Sequence, residues 1–170
     1  GIVRYEPTEL VVSVRAGTPL RELLEALDAA GQMLPCEPPA FGDSATVGGM
    51  IATGLSGPRR PWSGSVRDFV LGTRVITGLG QHLRFGGEVM KNVAGYDLSR
   101  LMAGGFGCLG VLTEVSLKVL PKPHQCLSIR LDIDCARALS KLAEWGQQPL
   151  PISAACHDGR SLYLRLEGGE

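Results

Sequence analysis

Glycine constrains this chain more than any other residue. The 170 residues contain 23 glycines against four phenylalanines, two tryptophans and three tyrosines, with concentrated runs over 42–57 and 104–110. Glycine loses more backbone entropy on folding than any other residue, so a sequence retains it where the chain must turn sharply or lie against a ligand. The glycine runs are therefore where chemistry is expected, and the segments between them must supply the core. With 44% hydrophobic residues, one or two compact units are expected.

Charge and cysteine usage remove several function classes. Seventeen basic and seventeen acidic residues balance to zero, so no overall field draws the chain to nucleic acid or anionic lipid. No apolar run approaches the roughly 20 residues of a membrane span, and Gly1 to Leu10 lacks the pattern of a signal peptide. A cytosolic protein is predicted. The cysteines at 36, 108, 126, 135 and 156 form no C-x-x-C pair, and the histidines at 82, 124 and 157 are scattered. The prediction is reduced thiols and no metal site.

Along the chain, Leu10 to Val14 reads as a strand. Thr18 is placed to cap a helix that has Pro19 at its first position, carries Leu20, Leu23, Leu24 and Leu27 on one face, and ends at Gly31. Pro35, Pro38 and Pro39 hold the approach to the first glycine run extended. Two strands around Gly78-Leu-Gly80 are predicted from Val66 onward. A helix over Tyr96 to Ala103, with Leu98, Leu101 and Met102 on one face, precedes a strand from Val111 to Val119. Beyond Pro121 and Pro123 the chain reads β-α-β-β: a strand at Leu127 to Ile133, a helix capped by Asp134, and strands flanking an Asp158-Gly159 turn. The fold class is α+β, divided near Pro121. The chain starts just before one strand and stops just after another, and it reads as a piece of a longer protein.

Gly105-Phe-Gly107-Cys-Leu-Gly110 spells the dinucleotide fingerprint, but a predicted helix precedes it and a strand follows. That is the reverse of what a nicotinamide site needs. Gly42 to Gly57 combines small residues, hydroxyls and the pair Gly48-Gly49. Backbone N–H groups there can meet anionic oxygens, with Thr46 as a further donor and Arg59, Arg60 and Arg67 as counter-charges. A surface loop feeding a short helix, with Thr46 as its cap, fits the composition equally well. Lys91, Asn92, Tyr96 and Asp97 form the most polar motif, open either to a cofactor role or to a helix entry capped by Asp97. Cys108 has no neighbouring base and reads as packing.

Five segments in order carry a resemblance: Thr46-Val-Gly-Gly49, Gly57-Pro-Arg-Arg60, Gly64 to Gly72, Lys91 to Leu98 and Gly107 to Glu114. Together they resemble the vanillyl-alcohol-oxidase, or PCMH-type, FAD-binding family. Met33 to Pro39, Leu55 to Pro61 and Leu83 to Asn92 are similar to its glycolate-oxidase branch. The resemblance implies residues 1–121 as the second subdomain of the FAD-binding domain, without the first subdomain and its pyrophosphate-gripping loop, and residues 122–170 as the truncated start of a ferredoxin-like cap. It implies non-covalent FAD held by Pro39, Thr46, Gly48, Gly49 and Gly57 at the flavin and pyrophosphate, and by Gly110 and Val111 at the adenosine. The implied activity is oxidation of a 2-hydroxy acid, with a second flavin subunit and an iron-sulfur subunit as partners. A non-catalytic assembly subunit and a stand-alone D-lactate-type dehydrogenase are the alternatives. No catalytic acid or base is assigned, since the family places it on the cap.

Overall fold

The computed structural model describes residues 1–87 and 95–168. Lys91 and Asn92, singled out above, lie outside the described residues. In chain order the elements are β1 (Ile2–Glu6), β2 (Val11–Arg15), α1 (Leu20–Ala29), β3 (Gln32–Met33), α2 (Val47–Thr53), α3 (Arg60–Ser63), β4 (Val70–Ile76), β5 (His82–Gly86), α4 (Leu98–Leu101), β6 (Val111–Lys118), β7 (Leu120–Pro121), β8 (Gln125–Leu131), α5 (Cys135–Trp145), β9 (Ile152–His157) and β10 (Leu162–Gly168). They form two compact units, one of Gly1–Gly57 with Gly64–Lys122, the other of Pro58–Ser63 with Pro123–Glu170.

The first unit is built on a five-stranded sheet of order β1-β2-β6-β4-β5, in which each neighbouring pair is antiparallel. Val12 and Val14 of β2 and Val115 and Leu117 of β6 alternate onto one face, and all are buried. Leu20, Leu23 and Leu27 of α1 and Val47, Met50 and Ile51 of α2 pack over them in one cluster. Each fully buried aliphatic side chain contributes roughly 1.5–3 kcal/mol. Two short strands, β3 and β7, close the unit as an antiparallel pair.

Local expectations differ from the structure in four places. Leu24, expected on the buried face of the first helix, is 37% exposed. Thr18 does not cap that helix: Pro19 occupies the cap position without a side-chain bond, and the buried Thr18 hydroxyl has no partner among the described residues. Its carbonyl instead accepts from Val47 N–H at 2.9 Å, part of a short backbone pairing that also joins Leu20 N–H to Ala45 O at 2.8 Å. Val66–Phe69 is a 3₁₀ turn with a Ser65 and Asp68 capping box, so the strand begins only at Val70. The helix expected over 96–103 shrinks to the four residues of α4, capped by Asp97, and its Leu98 and Leu101 are exposed.

The second unit has three antiparallel strands in the order β8-β10-β9. Ala138 of α5 packs on Ile152, Leu162 and Leu164. Asp134 caps α5 by accepting from Arg137 N–H at 2.9 Å. This unit also takes in residues 58–63. Within it Arg59 Nη2 donates to Glu167 Oε1 at 2.7 Å, and both side chains are 9% exposed. Arg59 was expected as a counter-charge for a phosphate group; it serves instead as one half of a buried ion pair.

Candidate functional site

In the first unit a cavity of about 250 Å³ opens beside α2, walled by Pro38, Pro39, Phe41, Ser44, Thr46, Gly49, Met50, Thr53 and Leu55 among others. The sequence explains its shape. The prolines hold one wall extended, and on α2 the spacing of Thr46, Gly49, Met50 and Thr53 puts these four residues on a single helical face. Among the described residues no ionisable side chain lines the cavity. Its polarity comes from hydroxyls and backbone.

Two of the hydroxyls have defined roles. Thr46 Oγ1 accepts from Gly49 N–H at 3.1 Å and caps α2, so the cap reading of this residue holds. A hydroxyl that accepts can still donate, and the Thr46 hydrogen is available to a ligand oxygen. Thr53 Oγ1 donates back to Gly49 O at 2.9 Å. Gly49 itself is exposed to the cavity, and a Cβ there would sit 3.2 Å from Thr46 Oγ1.

Of the seven residues expected at a cofactor, the cavity gathers Pro39, Thr46 and Gly49. Gly48 faces away. Its N–H donates to Ala16 O at 2.7 Å, and a Cβ there would lie 2.8 Å from Ala16 Cβ. Gly57 N–H likewise donates to Cys36 O at 2.8 Å, with the Glu37 carbonyl only 2.2 Å from where its Cβ would be. The N–H groups of Gly48, Gly49 and Gly57, expected to meet a diphosphate, are thus already bonded within the protein. The glycines at 48 and 57 let two backbone segments touch. Phe41, Ser44, Thr53 and Leu55 were not expected in the wall; the helical spacing from Thr46 to Thr53 is the signal that would have found Thr53.

Gly110 and Val111 stand outside this cavity, at the start of β6. Val111 pairs with Ile76 of β4 and is 64% exposed, and Gly110 adopts φ 147°, tight against Val75 and Ile76. The loop before them is tied to α2: Gly104 N–H donates to Ile51 O and Phe106 N–H to Ala52 O, both at 2.9 Å. The G-x-G-x-x-G of this loop lies between α4 and β6, so no helix N-terminus follows it to receive a pyrophosphate. Asp97 caps α4 and pairs with Arg100 at 3.1 Å, and Tyr96 is exposed. Cys108 is exposed, while burial pushes the Cys36 thiol up to about 12.

A cavity whose described lining is mostly apolar, carries hydroxyls and has no charged side chain fits the ring system of an aromatic cofactor better than a bare phosphate. With the antiparallel sheet and its glycine loops, it defines a nucleotide-cofactor domain of the α+β class. Residues 1–86 match the FAD binding domain family, and the chain belongs to that family. It is 68% identical over its full length to glycolate oxidase subunit GlcE of Escherichia coli (strain K12), of which it spans 49%. It is 35% identical over 138 residues to glycolate oxidase subunit GlcD of Bacillus subtilis (strain 168), covering 79% of this chain and 29% of that protein. With the D-lactate dehydrogenase of Anaerostipes hadrus it shares 36% identity over 129 residues, 75% of this chain and 26% of that protein. Among solved structures, alkyldihydroxyacetonephosphate synthase superimposes with a TM-score of 0.79 at 20% identity, covering 99% of this chain and 37% of that one. This last likeness shows the fold.

Proposed function

We propose that this chain forms the FAD-holding part of a glycolate-oxidase-type subunit that works in a complex oxidising a 2-hydroxy acid. The observation that carries the reading is the 68% identity across every residue to a glycolate oxidase subunit, in a chain whose family binds FAD. Bound FAD supplies the electron-accepting ring for the oxidation. In this reading Pro39 and Gly49 lie along the flavin ring, and Thr46 donates its free hydrogen to a ring or ribityl oxygen. Gly48 and Gly57 shape the cavity by close backbone packing, while Gly110 and Val111 serve the adenosine end. Residues 1–121 act as the FAD-binding part and 122–170 begin a substrate cap. Partners are a second flavin subunit and an iron-sulfur subunit. The cytoplasm suits the five free thiols, since such thiols persist in a reducing compartment. Among the described residues no helix is long and apolar enough to cross a membrane.

A second reading, in which the subunit relays electrons or supports assembly without oxidising the acid itself, is favoured by one observation: among the described residues the cavity wall presents no ionisable side chain to take a proton. One experiment separates the readings. Full-length protein is followed anaerobically at about 375 and 450 nm, where flavins absorb, before and after glycolate or D-lactate. Bleaching by glycolate supports direct oxidation, and bleaching by D-lactate alone makes the protein a D-lactate dehydrogenase. Flavin that stays oxidised until a partner subunit is added supports the relay, and a colourless protein overturns the FAD assignment.

A further inference from the structure

In the first unit α1 and α2 pack over the sheet face that carries Val12, Val14, Val115 and Leu117. Alternation along the strands puts a different set of side chains on the other face. Ser13 and Ser116 are paired there, their hydroxyl oxygens 2.7 Å apart. Two positions further along each strand, the register sets Arg15 of β2 opposite Glu114 of β6, Glu114 opposite Arg74 of β4, and Arg74 opposite Arg84 of β5. Four adjacent strands thus line up Arg15, Glu114, Arg74 and Arg84 in one row. Arg74 Nε lies 3.0 Å from Glu114 Oε1, as members of one face should. Arg15 and Arg84 are exposed, and the Arg74 side chain is 42% exposed. Past Arg74 and Arg84 the same face continues to Ile76, 41% exposed, and His82.

Like charges directly opposite one another on a sheet are unfavourable. This row nevertheless sets two guanidiniums side by side and a third two strands away, with one carboxylate among them. The chain as a whole is neutral, with 17 cationic and 17 acidic residues, and residues 88–94, which follow β5, add one glutamate and one lysine. At the far end of the face the charges are balanced: Arg4 pairs with Glu6 at 3.3 Å, and Glu9 lines the same small hollow. The positive excess is local to the row. An exposed row rich in arginine beside an exposed isoleucine has the make-up of a protein interface, and such a patch selects its partner by charge. Neighbouring strands are about 4.8 Å apart, so Arg84 and Arg74 are rooted about one helical turn apart, and Arg74 and Arg15 about two. Carboxylates repeated along a partner's helix match that spacing, whereas one small anion would meet a fraction of the row. Resting on the reading that the chain works as a subunit of a complex, we propose that this row docks an acidic segment of a partner subunit, with carboxylates facing Arg84, Arg74 and Arg15 and none facing Glu114.

The test takes full-length protein and follows its association with the purified second flavin subunit and the purified iron-sulfur subunit, each in turn, by surface plasmon resonance. The wild type binds one of them, and the affinity falls as salt rises from about 50 to 500 mM. Reversing the two exposed arginines together, Arg15→Glu with Arg84→Glu, loses roughly tenfold or more in affinity, chiefly through slower association. Arg15→Lys with Arg84→Lys retains most of it. Glu114→Gln tightens binding, a change of sign that lost packing would not produce. Each variant keeps the wild-type Tm and flavin content. Unchanged affinity in the charge-reversed protein, or association that salt does not weaken, overturns the acidic dock and leaves the FAD assignment intact; retention of heparin on the wild-type face does not rescue it. A charge-reversed protein with a lowered Tm also overturns the dock, since the row is then packed within the full-length chain. A wild type that binds neither partner overturns both the dock and the complex on which it rests.

Discussion

Thr46 serves fold and cavity with the same oxygen, and substitutions can separate the two. Thr46→Ala removes the cap on α2 and is expected to cost about 1 kcal/mol in urea unfolding. Thr46→Ser should keep most of that stability and also FAD affinity, because it keeps the donor. The glycines divide in a similar way. Gly57→Ala drives a methyl into the Glu37 carbonyl and should destabilise by about 1–3 kcal/mol. Gly17 has ordinary φ and nothing within 4 Å of a built Cβ, so Gly17→Ala should be neutral or stabilise by about 0.4–1 kcal/mol. Cysteine reactivity follows exposure. Cys36 is buried with its pKa pushed up to about 12, while Cys108, Cys126, Cys135 and Cys156 are exposed. A thiol reagent should count four of the five cysteines in the folded protein and the fifth only in denaturant.

At the level of elements, the clearest pH handle is the turn between β9 and β10. Asp158 accepts from Arg160 N–H and Ser161 N–H, each at 2.8 Å, and these bonds hold its carboxyl down to about 2. An acid whose folded pKa is depressed adds stability that is present above its ordinary value, near 3.9, and lost as pH falls through the folded value. The β9–β10 hairpin should therefore loosen between about pH 4 and 2 in amide exchange, and Asp158→Ala should loosen it at neutral pH as well. This turn, the cap of α5 and the strand β6 were legible because their signals are local: an Asp-Gly pair, an Asp before a periodic run, a strict alternation. β1 was not, since Ile2–Glu6 has a mixed burial pattern and finds its place by pairing with β2. The helix near Tyr96 was read too long because its leucines recur at helical spacing yet stay in solvent. In the site, Pro39, Thr46 and Gly49 were legible as a group. The need for glycine at 48 and 57 was not, because it is set by Ala16 and Glu37, residues distant along the chain.

For the molecule as a whole, the telling pair is Arg59 with Glu167, since it completes the second unit from a segment that the chain passes through much earlier. Arg59→Ala leaves the Glu167 carboxylate, 9% exposed, with Arg165 Nε at 3.1 Å as a remaining cationic partner and should cost about 1–3 kcal/mol, whereas replacing both Arg59 and Glu167 by leucine should cost less. Thermal unfolding monitored through Trp145 of α5 would read both variants. A stretch of residues 123–170 prepared alone should resemble the Arg59→Ala protein rather than the intact unit, although no residue within it has been altered.

On the ribosome, the same pair becomes a matter of timing. Arg59 and Glu167 are 108 positions apart, and at about 5–20 residues per second the second partner is made roughly 5–20 s after the first. Within that interval the first unit is completed once β6 and β7 have been made, with Lys122 as its last residue, whereas the other must still wait for Glu167. Synthesis therefore imposes an order on this protein: the cofactor domain can be ready for flavin before its neighbour is able to fold.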